Sequence, residues 1–315
     1  FTTIANSGVN SSLGAGSQIS FDSNATQNMN GYIENIGAGG STNRTVAFGA
    51  HNGNNTAGIA NNGTGALDFT GTFTNNSNTG ATRTLLLGGD YGGQNSISSA
   101  LSDGGNGGQL ALTKEGATTW ALSGINSYTG NTSINGGTLL INGDQSAATG
   151  TVTVNSGATL GAAGTSGKIG GDTTIAAGGA FTLVDGQVDS LLTLSGSLDI
   201  TAIDPGSLKF ELGAGEASDT VALNNLFMNS LELGDFEFTE LSGAEAGTYT
   251  LFQVTQDYTA DFGAGATGTL FGFNAELAKD NNNLVLNLTA VPEPSSTALL
   301  GLGGLALILR RRRDK

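Results

Sequence analysis

The chain has 315 residues, of which 52 are glycine and none is cysteine, and only 12% are charged; no disulfide, thiolate nucleophile or cysteine-ligated metal is possible. Five of its eleven basic residues (Arg310, Arg311, Arg312, Arg313 and Lys315) sit together, leaving six basic against 25 acidic residues in 1–309, a net −19. A body this acidic is repelled by nucleic acid and by anionic lipid, and suits life in solution outside a cell. It opens at Phe1 without Met or an apolar leader, as expected of a chain that has lost a signal peptide or of a fragment.

Helix formers are sparse, while β-branched and turn residues abound, which predicts short strands joined by many turns. In chain order, Asn43-Arg44-Thr45-Val46-Ala47-Phe48-Gly49 is echoed 39 positions later by Thr82-Arg83-Thr84-Leu85-Leu86-Leu87-Gly88. Both read as buried strands with loops after them. Between them lies the single histidine, in Ala50-His51-Asn52-Gly53. It reads as a surface residue in an exposed turn; a multi-histidine metal site is excluded, and a Ser/His/Asp triad would have to use it. The Gly-rich pieces 88–93 and 103–108 lack the stacked Asp series of calcium-binding nonapeptides and read as loops.

A tighter repeat follows. Ser133-Ile134-Asn135-Gly136-Gly137-Thr138-Leu139 aligns with Thr153-Val154-Asn155-Ser156-Gly157-Ala158-Thr159-Leu160 and with Thr174-Ile175-Ala176-Ala177-Gly178-Gly179-Ala180-Phe181. Ile134, Val154 and Ile175 are 20 and 21 apart, and Gly137, Gly157 and Gly178 keep that spacing. A weaker echo is Thr193-Leu194-Ser195-Gly196-Ser197-Leu198. A β-solenoid coil needs this period: each strand lies about 4.8 Å above the last, and the inward apolar residues stack into one core. The glycines fit where the chain bends with φ > 0, and Asn135 and Asn155 tolerate the same region. An antiparallel sandwich would not require matched offsets in three units.

From about Leu208 glycine thins and acids increase, while strand-like runs continue at 208–212, 249–254, 269–273 and 284–288. This is expected to be either the last coils plus a cap or a small β domain, because an open solenoid end is a sheet edge that must be covered. Asp185 lies close in sequence to Asp189, and Asp199 to Asp204; pairs of carboxylates of this kind serve glycoside hydrolysis. Six basic residues and one Trp make a poor sugar-binding complement for such an enzyme. No catalytic residue, cofactor or metal is expected.

Val291-Pro292-Glu293-Pro294 then precedes an uncharged run, 297–309, and the arginines Arg310 to Arg313. The prolines hold the local chain extended, which suits a protease cleft. The apolar run reads as a short transmembrane helix with the arginines held in the cytoplasm. Its thirteen residues rise about 20 Å against about 30 Å of hydrocarbon, and Ser295, Ser296 and a snorkelling Arg310 extend the span. The competing reading is a helix packed on the body, which four adjacent arginines disfavour.

This order of Pro292, Glu293 and Pro294, apolar run and arginine cluster resembles the PEP-CTERM sorting signal of exported bacterial proteins. The resemblance implies a substrate of exosortase, a membrane protease that cuts near the motif, with Glu293 as the motif's acid, and a link to extracellular polysaccharide, biofilm or floc matrix. A second resemblance lies at about 110–142. There Lys114-Glu115-Gly116, Trp120-Ala121-Leu122-Ser123-Gly124, Asn126-Ser127-Tyr128-Thr129-Gly130 and Gly137-Thr138-Leu139 look like an autotransporter-associated β-strand repeat, which implies a β-helix and export. Trp120 and Tyr128 are expected to pack inside it. No outer-membrane β-barrel follows in this sequence, and the sorting tail is expected to take its place.

The expected fold is therefore all-β: a right-handed parallel β-helix over 1–207, a β-rich cap or small domain over 208–290, and a sorting signal over 291–315 with a membrane segment at about 297–309. The expected function is that of an exported, non-catalytic surface or matrix protein cut by an exosortase-type membrane protease. Extracellular polysaccharide is a further expected partner; nucleic acid is not one. The alternatives are a glycan-binding adhesin and, less favoured, a β-helix polysaccharide lyase or hydrolase.

Overall fold

The computed structural model describes residues 1–21, 31–49, 54–77, 80–241 and 243–292. His51 and the segment 293–315 lie outside the described residues. Short strands with alternating burial, such as Val152–Val154 and Thr132–Ile134, cannot bury an apolar row alone and stack instead. The largest sheet runs in parallel through Gly31–Asn35, Asn55–Asn61, Thr82–Gly88, Gln109–Lys114, Thr132–Ile134, Val152–Val154, Thr173–Ile175, Leu191–Asp199, Thr220–Phe227 and Gly247–Val254. A second, nine-stranded sheet runs from Gly40–Thr42 to Phe236–Glu240. A third, narrower ladder holds Gln18–Phe21, Thr45–Phe48 and Phe73–Asn75. The chain visits these sheets in turn, giving a parallel β-solenoid of about 8 turns with almost no helix.

Register decides which residues meet. In the large sheet Ile33, Ile59, Leu87, Lys114, Ile134, Val154 and Ile175 pair in one column. In the second sheet Trp120, Leu139, Leu160, Phe181, Leu208 and Phe236 form another. The sequence alignment of Ile134, Val154 and Ile175 is thus the physical one, and Gly137, Gly157 and Gly178 have φ of 60°, 77° and 76°. Asn135 and Asn155 do not share that conformation. They stack side chain on side chain, Asn155 Nδ2 donating to Asn135 Oδ1 at 2.8 Å.

Two sequence echoes have a different meaning in space. Thr45–Phe48 and Thr82–Gly88 are both buried strands, but they lie in different sheets. Val46 pairs with Phe73, and Leu85 with Ala57 and Leu112. The early coils are 26 to 28 residues long by register, so an offset of 39 cannot join equivalent positions. The echo at 193–198 fails for another reason. Gly196 sits at a register shift inside one long strand, where Leu194 pairs with Ile169 and Leu198 with Thr173.

The far end changes pairing mode. Parallel coiling continues through Phe236–Glu240 and Gly247–Val254. Gly247–Val254 then pairs antiparallel with Asn283–Ala290, followed outward by Phe273–Asp280 and Thr267–Leu270. The near end is tied by Arg44, a buried side chain that donates to the carbonyls of Val9, Leu13 and Gly14.

Gly137 combines positive φ with a crowded corner: a Cβ there would lie 2.5 Å from the Gly116 carbonyl oxygen and 2.7 Å from Lys114 Nζ. Gly137→Ala is expected to cost more than about 1 kcal/mol, read as a lower urea midpoint, whereas Gly157→Ala, with open space around its Cβ, should cost less.

Candidate functional site

The segment 112–141 is built around a charge in the core. Lys114 occupies an inward place in the aliphatic column between Leu87 and Ile134 and is fully buried. Its ammonium donates to the carbonyls of Glu115, Gly116 and Gly136 at 2.8, 3.1 and 2.9 Å. Three donors meet three acceptors, which satisfies an ammonium in full. Burial still pulls its pKa down to about 8, opposed by the charges of Glu115 and Asp90. Trp120 is buried beside it, stacked on Phe69 with centroids 6.3 Å apart and donating Nε1–H to Gly88 at 3.2 Å. Tyr128 is buried too, its O–H donating to Gln145 Oε1 at 3.2 Å. Both aromatic residues pack rather than face solvent.

Other buried polar groups were not read from the sequence. Asn35 donates to Asn61 Oδ1 at 2.7 Å, Asn61 to Asn95 Oδ1 at 2.6 Å, and Asn95 to Thr118 Oγ1 at 3.0 Å. This polar column runs through four coils. The available signal was the recurrence of Asn-x-Gly at Asn35-Ile36-Gly37 and Asn61-Asn62-Gly63, where each Asn also accepts from the Gly N–H.

The carboxylates paired in sequence brace separate turns. Asp185 accepts from Gly164 N and Ser190 Oγ, Asp199 from Thr201, and Asp204 from Gly178 N, while Asp189 is exposed. The sequence missed the buried pair Glu211 and Asp219. Glu211 accepts backbone N–H bonds from Asp185, Gly186 and Gln187. Asp219 accepts from Ser190 N at 3.2 Å and Glu211 N at 2.8 Å. Burial pushes the Asp219 carboxyl up to about 7, the charges of Glu211 and Asp185 add to it, and the two N–H donors oppose it. Among the described residues no group of three or more His, Asp or Glu could hold a metal ion.

Of the expected sorting residues, Pro292 is within the described part of the chain. It is exposed, next to half-exposed Val291, two residues past the strand Asn283–Ala290. Lacking an N–H, proline cannot extend a ladder. Glu293, Pro294 and Arg310, Arg311, Arg312 and Arg313 lie outside the described residues, as does the expected membrane segment. Among the described residues no helix is long and apolar enough to cross a membrane.

Family models match at both places. A passenger-associated-transport-repeat model matches residues 112–141, and a PEP-CTERM protein-sorting motif matches residues 290–313. The chain carries both elements. The adhesin BmaC autotransporter of Brucella suis biovar 1 (strain 1330) is 53% identical over 74 residues. That stretch is 24% of this chain and 2% of the adhesin, so the chain spans a small fraction of this relative's length. Together these findings mark an exported, surface-type protein.

Within the transport repeat, Lys114→Met keeps the stem and removes the three donors from the partly buried corner carbonyls of Glu115, Gly116 and Gly136. A loss of about 1–3 kcal/mol at neutral pH is expected, measured by urea denaturation. Asp219 gives a pH signature. Its folded pKa lies above its ordinary 3.8, so the fold binds more protons than the unfolded chain between about 4 and 7. Its contribution is therefore full below that window and is lost as pH rises through about 7. The urea midpoint of the wild type should fall more steeply from pH 5 to 8 than that of Asp219→Asn; equal slopes would assign the titration elsewhere.

Proposed function

We propose that the chain is an exported, non-catalytic surface protein whose acidic solenoid is carried out of the cell and released by an exosortase-type membrane protease. In this reading Pro292, Glu293 and Pro294 present the scissile region, the run 297–309 is a temporary tether, and Arg310 to Arg313 stay on the cytoplasmic side. The observation that carries it is the PEP-CTERM match over 290–313, directly after the last strand of the cap. The strand ends at Ala290 and the exposed Val291-Pro292 leads away from it, so a protease reaching the motif need not unfold a ladder. The acidic body, with net −19 over 1–309, repels anionic membrane and stays off it once cut.

A second reading, that the exported body works as an adhesin on extracellular polysaccharide or another cell, is favoured by the BmaC relative, whose name describes that protein as an adhesin. The two are compatible: one concerns delivery and the other what the body does afterwards.

Mass spectrometry of the mature protein's end tests delivery. The wild type should end near the motif, and Glu293→Ala or deletion of 310–313 should leave the uncut chain in the membrane fraction. A mature wild-type chain that still ends in Lys315 overturns the reading.

A further inference from the structure

The outer face of the large sheet carries an ordered column of its own. Thr113, Ser133, Thr153, Thr174, Asp199 and Phe227 pair in register from coil to coil. They are displaced by one residue from the inward column, so they point to the opposite side of the sheet. Two positions earlier on the strands lies a parallel polar column. There Asn131 Oδ1 accepts from Thr151 N at 3.2 Å, Asp172 Oδ1 accepts from Ser197 N and Oγ at 2.8 Å, and Ser197 pairs with Asn225. Hydroxyl, amide and carboxylate groups thus repeat about every 4.8 Å along the solenoid axis.

The array ends in an aromatic step. Phe227 is 53% exposed, its ring open to solvent. Beside it a groove of about 330 Å³ is lined by Thr201, Asn225, Phe227, Asp257, Tyr258 and Thr259. Tyr258 is itself buried, and its hydroxyl has no hydrogen-bond partner among the described residues. The Lys279 ammonium lies 4.6 Å from the Tyr258 ring centroid and pairs with Asp257. A concave site with an exposed ring and a few exposed polar groups suits a small polar ligand with an apolar face.

We propose that this face, from Thr113 to Phe227, binds an extended neutral β-1,4-linked polysaccharide laid along the solenoid axis, with Phe227 and its groove as the anchoring subsite. The reason is commensurability: two coil spacings, about 9.6 Å, are close to the two-unit repeat of such a chain, whose successive rings alternate in orientation, so every second coil meets the same ring face. The apolar face of a pyranose ring covers Phe227, and its hydroxyls meet Asn225, Thr201 and Thr259 at the groove's open side. Charge selects among polymers. Asp172 and Asp199 within the array and the acidity of the whole body oppose uronate-rich or sulfated chains. A nucleic acid is excluded on the same ground.

The inference rests on the surface-protein reading for its setting, yet its test is independent of sorting. The full chain, purified in mild detergent, is titrated with cellohexaose and with cellobiose, with binding followed by calorimetry. Cellohexaose is expected to bind at least tenfold more tightly than cellobiose, because the longer chain spans more coils. Phe227→Ala should weaken cellohexaose at least tenfold, Phe227→Trp should retain binding, and Thr153→Val should weaken it a few-fold. Phe227 is half in solvent, so these variants should keep the wild-type urea midpoint, which is measured alongside. Absence of cellohexaose binding, equal affinity for the two sugars, or unchanged affinity in Phe227→Ala overturns the proposal. None of these outcomes bears on whether the chain is cut at its PEP motif.

Discussion

In a parallel solenoid every side chain meets the residue at the same place in the coil above and below, about 4.8 Å away. Whatever occupies a position must therefore be tolerable next to its own counterpart. Aliphatic groups satisfy this easily, and so do aromatic rings: Phe21 and its register partner Phe48 stack on the third ladder with centroids 6.1 Å apart. Asparagine satisfies it because an amide is donor and acceptor at once, which makes the Asn35, Asn61 and Asn95 column self-satisfying. At the tightest corners only glycine will do. A Cβ on Gly150 would lie 2.1 Å from the Gly130 carbonyl oxygen, and one on Gly171 only 1.9 Å from that of Gly150.

The same constraint explains what was legible in the sequence. Ile134, Val154 and Ile175 declare a coil because three successive coils have nearly equal length and so leave a period. The earlier coils also stack in register, but their loops differ in length, so the echo at 39 is accidental and the real offsets of 26 to 28 leave no visible period. Leu194 and Leu198 misled for a related reason: a strand that shifts register midway keeps its composition but not its phase. The acids beyond Leu208 were visible only as composition. Nothing local marks Glu211 and Asp219 as buried, because apart from the Glu211 N–H bond to Asp219 their partners are backbone groups 24 to 29 residues earlier in sequence. At the functional end, the motif at Pro292 was legible because it depends on residue order alone, without any tertiary contact.

Lys114 shows how a charge can be tolerated in such a column. An ammonium between Leu87 and Ile134 loses its hydration, and the lowered pKa records that cost. Three carbonyls from two coil corners offset it. Those carbonyls sit at partly open corners, so removing the lysine would strip three acceptors of one charged donor. Apolar stacking sets the position, and the corner carbonyls set the residue type.

The place of this clamp follows from coil length. Leu87 and Lys114 are 27 residues apart, Lys114 and Ile134 only 20, so the solenoid narrows across the transport repeat. The corner after Lys114 stacks on the corner after Ile134, in register on both flanking strands, and carbonyls of the two turns enclose a space that takes a donor. Lys114 reaches into that space, and Gly137, without a Cβ, keeps it open. Trp120, in the second sheet of the same coil, stacks on Phe69 of an earlier coil. Lysine, tryptophan and glycine thus form one joint between two coil sizes, which gives a physical reason for a recognisable motif to occur within an otherwise loosely repeating chain.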